Sequence, residues 1–286
     1  MNNFTLLTPK DPQDAFSLLK RYEDAKTFVI SGGTDLIPLL RSGALKAGYL
    51  VDINPLRLNA ITETDDAIAI GAACTFKQLY TNGAITKYLP ALAEAAKSVG
   101  AVQTRGLATI GGNLCAAVPS LDSAPALFVY NAELKIASAK GARVVPVTDF
   151  FVGPKKTVLN PKEEILTEII VKKPPAGFAS TFRKFGRRAA LTLSIANAAF
   201  GCEVNAGKIA NAAACVGACA PVPVKLSEAE EYLNGKDINS ISFDTLDSLV
   251  KSAIRPISDI RASKEYRSEL AAALIRGQVR DILGRE

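Results

Sequence analysis

The sequence of 286 residues contains no histidine. This absence excludes Ser-His-Asp and Cys-His nucleophilic triads, histidine metal sites and histidine general bases. Any chemistry at this protein is therefore most economically supplied by a bound cofactor, which the polypeptide would hold and orient.

Long apolar runs are also missing, since no stretch of eighteen consecutive apolar residues occurs. The sequence therefore predicts no membrane-spanning helix. The first residues, Met-Asn-Asn-Phe-Thr, lack the basic and then apolar pattern of a secretory signal peptide. We expect a cytoplasmic protein that does not associate with a membrane.

Cysteine is scarce and odd in number, and all five residues lie in apolar, alanine-rich surroundings: Cys74, Cys115, Cys202, Cys215 and Cys219. This pattern is typical of buried, reduced thiols. Cys215 and Cys219 have a spacing that a metal pair could use. Structural zinc and all-cysteine iron–sulfur sites need four grouped ligands, however, so we expect no metal on this chain.

The net charge of +6 is spread along the chain rather than concentrated. Basic doublets occur at 155–156, 172–173 and 187–188, without the interleaved aromatic residues that single-stranded nucleic acid binders use. The sequence therefore favours no nucleic acid partner. A mild positive balance suits an anionic cofactor or an acidic partner surface.

One short segment indicates a binding site for an anionic ligand. A predicted strand, Thr27–Ser31, turns at Gly32 and Gly33 and leads into a short helix that ends at Ser42. Thr34 or Asp35 is expected to cap this helix. Glycines allow close approach of a ligand, and the first amides of a helix attract phosphate. A simple tight turn is the alternative.

A second segment, Ala108-Thr-Ile-Gly-Gly-Asn113, repeats the arrangement of a small hydroxyl residue, an apolar residue and a glycine pair. Two such segments favour two walls of one diphosphate and nucleotide site over two unrelated turns. Asp122 and Ser123 are then expected to cap an apolar helix over residues 124–130.

The order of predicted elements indicates an α+β protein with two domains. Residues 1–174 would form the first domain, with subdomains of about 1–55 and 56–174. The consecutive prolines 174–175 are typical of a linker. Residues 175–286 would contain three antiparallel strands followed by three helices, predicted as 178–185, 193–204, 208–217, 225–234, 243–254 and 264–283.

Several motifs occur together in a fixed order: Ser31-Gly-Gly-Thr-Asp-Leu36, Gln103-Thr-Arg-Gly-Leu-Ala-Thr-Ile-Gly-Gly-Asn-Leu-Cys115, Asp122-Ser-Ala, Gly153-Pro-Lys-Lys-Thr-Val-Leu159, Glu164-Ile-Leu166 and Arg261-Ala-Ser-Lys-Glu-Tyr-Arg267. With these motifs the chain resembles the FAD-binding, or medium, subunits of molybdenum hydroxylases of the xanthine dehydrogenase and carbon monoxide dehydrogenase type. The resemblance implies an FAD-binding domain of the vanillyl-alcohol-oxidase (PCMH) type, made of two α+β subdomains. A C-terminal domain of a three-stranded sheet and helices would follow.

The resemblance also implies which residues bind FAD, with both glycine segments cradling its diphosphate: Ile30, Ser31, Gly32, Gly33, Thr34, Asp35 and Leu36 in the first segment, Ala108, Thr109, Gly112 and Asn113 in the second, and Asp122, Leu166 and Lys184 elsewhere. Some of these positions have a structural alternative. Asp122 is equally suited to capping a helix, and Leu166 to an ordinary strand core. Arg183 competes with Lys184 as the cation near the flavin.

The implied function is electron transfer inside an oxidoreductase, with no catalytic residue and no metal on this chain. Electrons would pass from a small [2Fe-2S] subunit to FAD and then to an acceptor such as NAD⁺. A large subunit would carry the molybdenum cofactor, which gives a heterotrimer. The alternatives are a free-standing flavoprotein reductase of the same FAD fold, or a flavin-free scaffold subunit.

Overall fold

The structure of the protein, a computed structural model, describes residues 3–188 and 192–284. Its first region is a parallel sheet of three strands in the order β1-β3-β2, with two helices. In chain order its elements are β1 (Thr5–Leu7), α1 (Pro12–Arg21), β2 (Thr27–Ile30), α2 (Leu36–Ser42) and β3 (Tyr49–Asp52). The predicted strand and the helix after it are present as β2 and α2, and β1 and β3 complete the sheet.

The second region is built on an antiparallel sheet of five strands. In chain order its elements are β4 (Ile61–Glu63), β5 (Ala67–Gly71), α3 (Phe76–Thr81), α4 (Gly83–Tyr88), α5 (Pro90–Ser98), α6 (Val102–Leu107), α7 (Ile110–Ala116), α8 (Ser123–Val129), β6 (Glu133–Ser138), β7 (Gly141–Pro146), α9 (Val147–Phe150), β8 (Phe151–Gly153), β9 (Lys156–Thr157) and β10 (Glu164–Lys172). The order in the sheet is β4-β5-β10-β6-β7, and β8 and β9 form a separate hairpin. The last strand of the region therefore lies at the centre of its sheet.

The third region has the predicted antiparallel sheet and three helices, together with a short fourth strand. Its elements are β11 (Ala179–Phe185), β12 (Ala196–Asn205), β13 (Lys208–Gly217), β14 (Val224–Lys225), α10 (Ser227–Leu233), α11 (Phe243–Ala253) and α12 (Lys264–Leu283). Single 3-10 turns occur at Asn54–Leu56 and Ile238–Ser240. Within the described ranges, none of the helices combines the length and the apolar composition that a bilayer crossing requires.

The strand β12 explains how the third region is joined to the second. Its side chains alternate between two hydrophobic clusters because successive residues of a strand face opposite sides of a sheet. Ala198 and Phe200 pack with the helices of the third region, whereas Ala199 packs in the core of the second. Small side chains on both faces allow the covering helices to approach closely. The third sheet is therefore buried on two sides.

Some short elements are not predicted from the sequence. The helices α4 and α6 are only six residues long, and the segment around Gly153 forms the β8–β9 hairpin rather than an irregular loop. Helices of this length have weak apolar periodicity, and tertiary packing stabilises them more than intrinsic propensity does. Residues Gly111 and Gly112 lie in the first turn of α7, where a loop was expected.

A backbone contact joins the first two regions. A Cβ atom at Gly32 would lie 2.0 Å from the carbonyl oxygen of Leu107 and 3.0 Å from the Cα atom of Ala108. Only glycine fits at this position, because a methyl group would overlap the neighbouring main chain. Gly33 has a φ of +67°, in the left-handed region that favours glycine. The first glycine thus serves the packing of two chain segments, and the second serves the turn.

We predict that Gly32→Ala lowers the free energy of unfolding of the FAD-free protein by about 1–3 kcal/mol, as forced overpacking usually does. Thermal unfolding monitored by circular dichroism would measure the change. Gly106→Ala is the matched control, because a Cβ atom there would meet no atom within 4 Å. Alanine at that position in α6 should leave stability unchanged or raise it slightly. Equal melting temperatures for the Gly32→Ala variant and the wild type would contradict the packing argument.

Candidate functional site

One cleft of about 930 Å³ lies where the three regions meet. Its volume is within the range of ligand sites, which are mostly apolar and contain a few convergent polar groups. The cleft is lined by residues from both domains of the sequence. Its walls include all fourteen residues that the family resemblance assigns to FAD: Ile30, Ser31, Gly32, Gly33, Thr34, Asp35, Leu36, Ala108, Thr109, Gly112, Asn113, Asp122, Leu166 and Lys184.

The first glycine segment presents main-chain donors to the cleft. The described part of the chain contains no hydrogen-bond acceptor for the amides of residues 32–36. Successive unpaired amides in a turn form a concavity that binds anions. Asp35 occupies the cap position of α2, but its side chain makes no capping hydrogen bond, so the predicted side-chain cap is wrong for Asp35. The carboxamide of Asn54 holds the segment in place by donating to the Ser31 carbonyl at 3.2 Å.

The second glycine segment uses its main-chain donors within the protein. The amide of Gly111 donates to the carbonyl of Ala72 at 2.8 Å, and the amide of Asn113 donates to the carbonyl of Thr109 at 3.0 Å. The amide of Gly112 donates to the Thr109 hydroxyl at 3.2 Å, which caps α7. These bonds leave no free amide at the three positions. The two glycine segments are therefore not equivalent, although the sequence pattern suggested that they were.

The side chain of Asn113 is the polar group that the second segment presents. Its carbonyl oxygen Oδ1 accepts a hydrogen bond of 2.7 Å from the hydroxyl of Ser123, the first residue of α8. This bond identifies which end of the carboxamide is the oxygen, so the opposite end is the NH₂ group. Asn113 thus offers two N–H donors at the wall of the cleft.

Asp122 precedes α8 but does not cap it, so the predicted capping role is wrong. Its carboxylate instead accepts three side-chain hydrogen bonds. Oδ2 lies 2.5 Å from Lys184 Nζ, and Oδ1 lies 2.6 Å from Ser194 Oγ and 2.8 Å from Asn197 Nδ2. The side chains of Lys184 and Asp122 are 10% and 7% exposed, so water screens their charges little. A buried ion pair therefore borders the cleft.

The structure also separates Lys184 from its neighbour on β11. Lys184 lines the cleft and makes a second hydrogen bond of 3.3 Å to the carbonyl of Ser98. The guanidinium of Arg183 forms an ion pair with Asp281 of α12 instead. Adjacent residues of a strand face opposite sides of the sheet. Of these two cations, only Lys184 borders the cleft.

An apolar wall faces these polar groups. Leu166 is 3% exposed, belongs to the largest hydrophobic cluster and also lines the cleft. The register of β10 against β6 shifts between Leu166 and Glu168. Such a bulge redirects the side chains of a strand. Val118 and Leu159 extend the wall on the same cleft.

Beyond the fourteen residues assigned to FAD, the cleft walls include further polar residues, among them Cys115, Lys155 and Lys156, and all three belong to the motifs named above. The lysines lie in the β8–β9 hairpin, where the Lys155 amide donates to the carbonyl of Ala117 at 2.8 Å. The Lys-Lys doublet was the available signal. Cys115 lies three positions after Gly112 and hence on the same face of α7.

Cys115 is exposed towards the cleft, whereas the other four cysteines are buried, and all five are free thiols. The surrounding protein desolvates the thiolate form and raises the pKa of Cys115 to about 12. Burial likewise raises the pKa of Cys74 to about 11. Within the described ranges, no group of three or more cysteine, aspartate and glutamate side chains could hold a metal ion.

The residues of the cleft fit the parts of an FAD molecule. The unpaired amides of residues 32–36 match a diphosphate, which binds well to successive main-chain N–H groups. The apolar wall around Leu166 matches an aromatic ring system, and Lys184 offers a cation beside it. The cleft therefore contains donors, apolar surface and charge of the kinds that this cofactor needs.

Two family models match the chain along nearly its whole length. The model described as the FAD binding domain in molybdopterin dehydrogenase matches residues 2–174, and that of the CO dehydrogenase flavoprotein C-terminal domain matches residues 180–282.

Individual relatives agree with these models. The xanthine dehydrogenase FAD-binding subunit of Escherichia coli O157:H7 is 33% identical over 259 residues, which covers 90% of this chain and 88% of the relative. The nicotinate dehydrogenase FAD-subunit of Eubacterium barkeri is 30% identical over 287 residues, and the alignment covers 99% of this chain and 97% of the relative. A chain of the reconstituted CO dehydrogenase from Oligotropha carboxidovorans superposes with a TM-score of 0.94 at 28% identity, covering 100% of this chain and 99% of its own.

The fold, the cleft and these similarities lead to one conclusion about family and cofactor. The protein belongs to the FAD-binding subunits of the molybdenum hydroxylases, the oxidoreductase family of the xanthine and CO dehydrogenases, and its cofactor is FAD.

Proposed function

We propose that this protein is the FAD-carrying electron-transfer subunit of a heterotrimeric molybdenum hydroxylase in the cytoplasm. Electrons would reach it from a [2Fe-2S] subunit and leave to an acceptor such as NAD⁺, while a large subunit holds the molybdenum cofactor. The observation that carries the proposal is that one cleft combines unpaired amides, a buried lysine and an apolar wall.

The residues of the first glycine segment bind and orient the cofactor in this proposal. The amides of residues 32–36 donate to the diphosphate oxygens, and the side-chain NH₂ group of Asn113 adds donors from the second segment. Hydrogen bonds to ionised oxygens are stronger than those between neutral groups. The diphosphate thus fixes the position of the rest of the molecule.

Lys184 places a buried ammonium group on the wall of the cleft. Bound FAD supplies the redox chemistry, since flavins accept and donate electrons and hydride. The ammonium of Lys184 favours negative charge nearby, because attraction between charges is strong where water is scarce. Asp122 holds this ammonium at 2.5 Å and so limits its movement. The buried side chain of Leu166 adds apolar surface to the same cleft.

An exposed turn supports a role inside a complex. Ile257 and Ile260 are 70% and 93% exposed in the turn before α12. The turn is nevertheless held firmly, because Asp259 accepts a hydrogen bond of 2.8 Å from Arg267, a residue that is only 3% exposed. Large apolar side chains on an ordered surface are typical of protein–protein interfaces. Relatives named medium chain or FAD-subunit belong to multi-subunit dehydrogenases.

The proposal is tested by the visible absorbance spectrum of the purified protein, recorded before and after addition of FAD, then NADH, then dithionite. We expect bound flavin that bleaches with NADH and loses no further absorbance with dithionite. Dithionite serves as the control, because it shows how much of the bound flavin can be reduced. Failure to bind FAD under any condition would contradict the proposed site. Flavin that responds to dithionite and not to NADH would exclude NAD⁺ as the direct acceptor.

We predict that FAD protects Cys115 from thiol reagents, because this side chain is exposed towards the cleft. Labelling by a maleimide, followed by mass spectrometry, would measure the rate. Since the thiolate reacts and desolvation raises the pKa of Cys115 above its ordinary value, the rate without FAD should increase as the pH rises. Cys115→Ser is the control and should abolish the FAD-sensitive labelling. Equal rates with and without FAD would place the cofactor elsewhere.

We predict that Ile260→Ser weakens association with the partner subunits and leaves FAD binding unchanged. Loss of a large apolar contact at an interface costs about 1 kcal/mol or more, which corresponds to about fivefold in affinity. Co-expression with the large and [2Fe-2S] subunits, followed by size-exclusion chromatography, would measure assembly. Leu6→Ser changes an equally apolar side chain that is 54% exposed on β1 and serves as the control. Equal loss of assembly in both variants would argue against a specific role for the turn.

A further inference from the structure

Two buried residues behind the wall of the cleft donate hydrogen bonds to the Asp122 carboxylate, which pairs with Lys184. Ser194 and Asn197 are 1% and 0% exposed and do not line the cleft. Both donate to Oδ1 of Asp122, while the other carboxylate oxygen accepts from Lys184. The carboxylate thus connects two hidden donors to a cation at the cleft. No motif in the sequence indicated either residue.

The orientation of the Asn197 side chain is fixed by the hydrogen bonds of its NH₂ group. Its NH₂ group donates to Asp122 Oδ1 at 2.8 Å and to the carbonyl of Leu121 at 3.1 Å, and each of these atoms is an acceptor. Its Oδ1 atom lies 2.1 Å from the position that a Cβ atom would take at Gly217. The neighbouring strand therefore leaves room for this carboxamide only because residue 217 is glycine. A flipped carboxamide would place two acceptors against each other.

Ser194 completes the arrangement. Its hydroxyl donates to Asp122 Oδ1 at 2.6 Å and can accept from Asn197 Nδ2 at 3.3 Å. A carboxylate in a buried position is stable in its charged form only when donors surround it. Ser194 lies just before β12 and Asn197 lies within β12, whereas Asp122 precedes α8. The third region of the chain thereby stabilises a charge in the second.

We propose that Ser194 and Asn197 are positioning residues of the flavin site, which keep the Asp122 carboxylate in place so that Lys184 stays at the cleft and the flavin reduction potential stays high. The inference rests on the proposed function, because it takes Lys184 to face the flavin. Without these donors, the negative charge of Asp122 would be less compensated. Reduction adds negative charge to the cofactor, so the potential would fall.

The test is the midpoint potential of bound FAD in Ser194→Ala, measured by dye-equilibrated reduction, together with the affinity for FAD. We expect the equilibrium for reduction to change about tenfold, which is about 30 mV for a two-electron couple. Asn197→Ser removes the other donor and should shift the potential in the same direction. In an Asp122→Asn background, where the charge is absent, neither substitution should shift it further.

Ser180→Ala is the matched control. Its hydroxyl is also buried, at 8% exposure, and makes one short hydrogen bond of 2.6 Å to Tyr130, but it lies outside the walls of the cleft. This variant loses a buried serine hydrogen bond and should retain the wild-type potential. Thermal unfolding of each FAD-free variant shows whether a general loss of structure accompanies a shift.

Each outcome decides a separate question. An unchanged potential in Ser194→Ala and Asn197→Ser, with a lowered one in Lys184→Met, would overturn the inference and keep the proposed site. An unchanged potential in Lys184→Met would overturn the placement of Lys184 beside the flavin. Equal shifts with Asp122 and with Asn at position 122 would show that the effect does not pass through the carboxylate, and would also overturn the inference.

Discussion

The cleft depends on the main-chain contact between Gly32 and Leu107. The first glycine segment follows a strand of the parallel sheet, and the second follows α6 beside the five-stranded sheet. These two segments can be adjacent only where one backbone has no side chain, because the Leu107 carbonyl occupies the space of a Cβ atom at residue 32. The contact sets the distance between two walls of the site, and the cleft is the space beside it.

This contact gives the two similar glycine pairs different tasks. Amides 32–36 remain free for an anion, whereas the amides of Gly111, Gly112 and Asn113 are used to hold the second segment on Ala72 and Thr109. A ligand site needs both a set of available donors and a rigid surface that positions them. The first segment provides the donors in our proposal, and the second provides much of the rigidity.

The sequence predicts most of the secondary structure and most of the residues around the cleft. Helices such as α1 and α11 have clear apolar periodicity, and the family motifs indicate residues that the structure places around one cleft. The free state of some amides and the pairing of others depend on tertiary contacts, which no local pattern encodes. The role of Asp122 is an example. The sequence is equally compatible with a helix cap, and only the structure shows that Lys184, Ser194 and Asn197 donate to its carboxylate.

The polar contacts of Asp122 give a physical reason for the C-terminal sheet and the FAD-binding region to occur in one chain. Of the side-chain donors to this carboxylate, Lys184 comes from β11, Asn197 from β12 and Ser194 from the residues just before β12. Without them, a charge that is 6% exposed would have no partner among the described side chains, and a buried charge in that condition is strongly destabilising. The C-terminal sheet is therefore part of the electrostatics of the cleft.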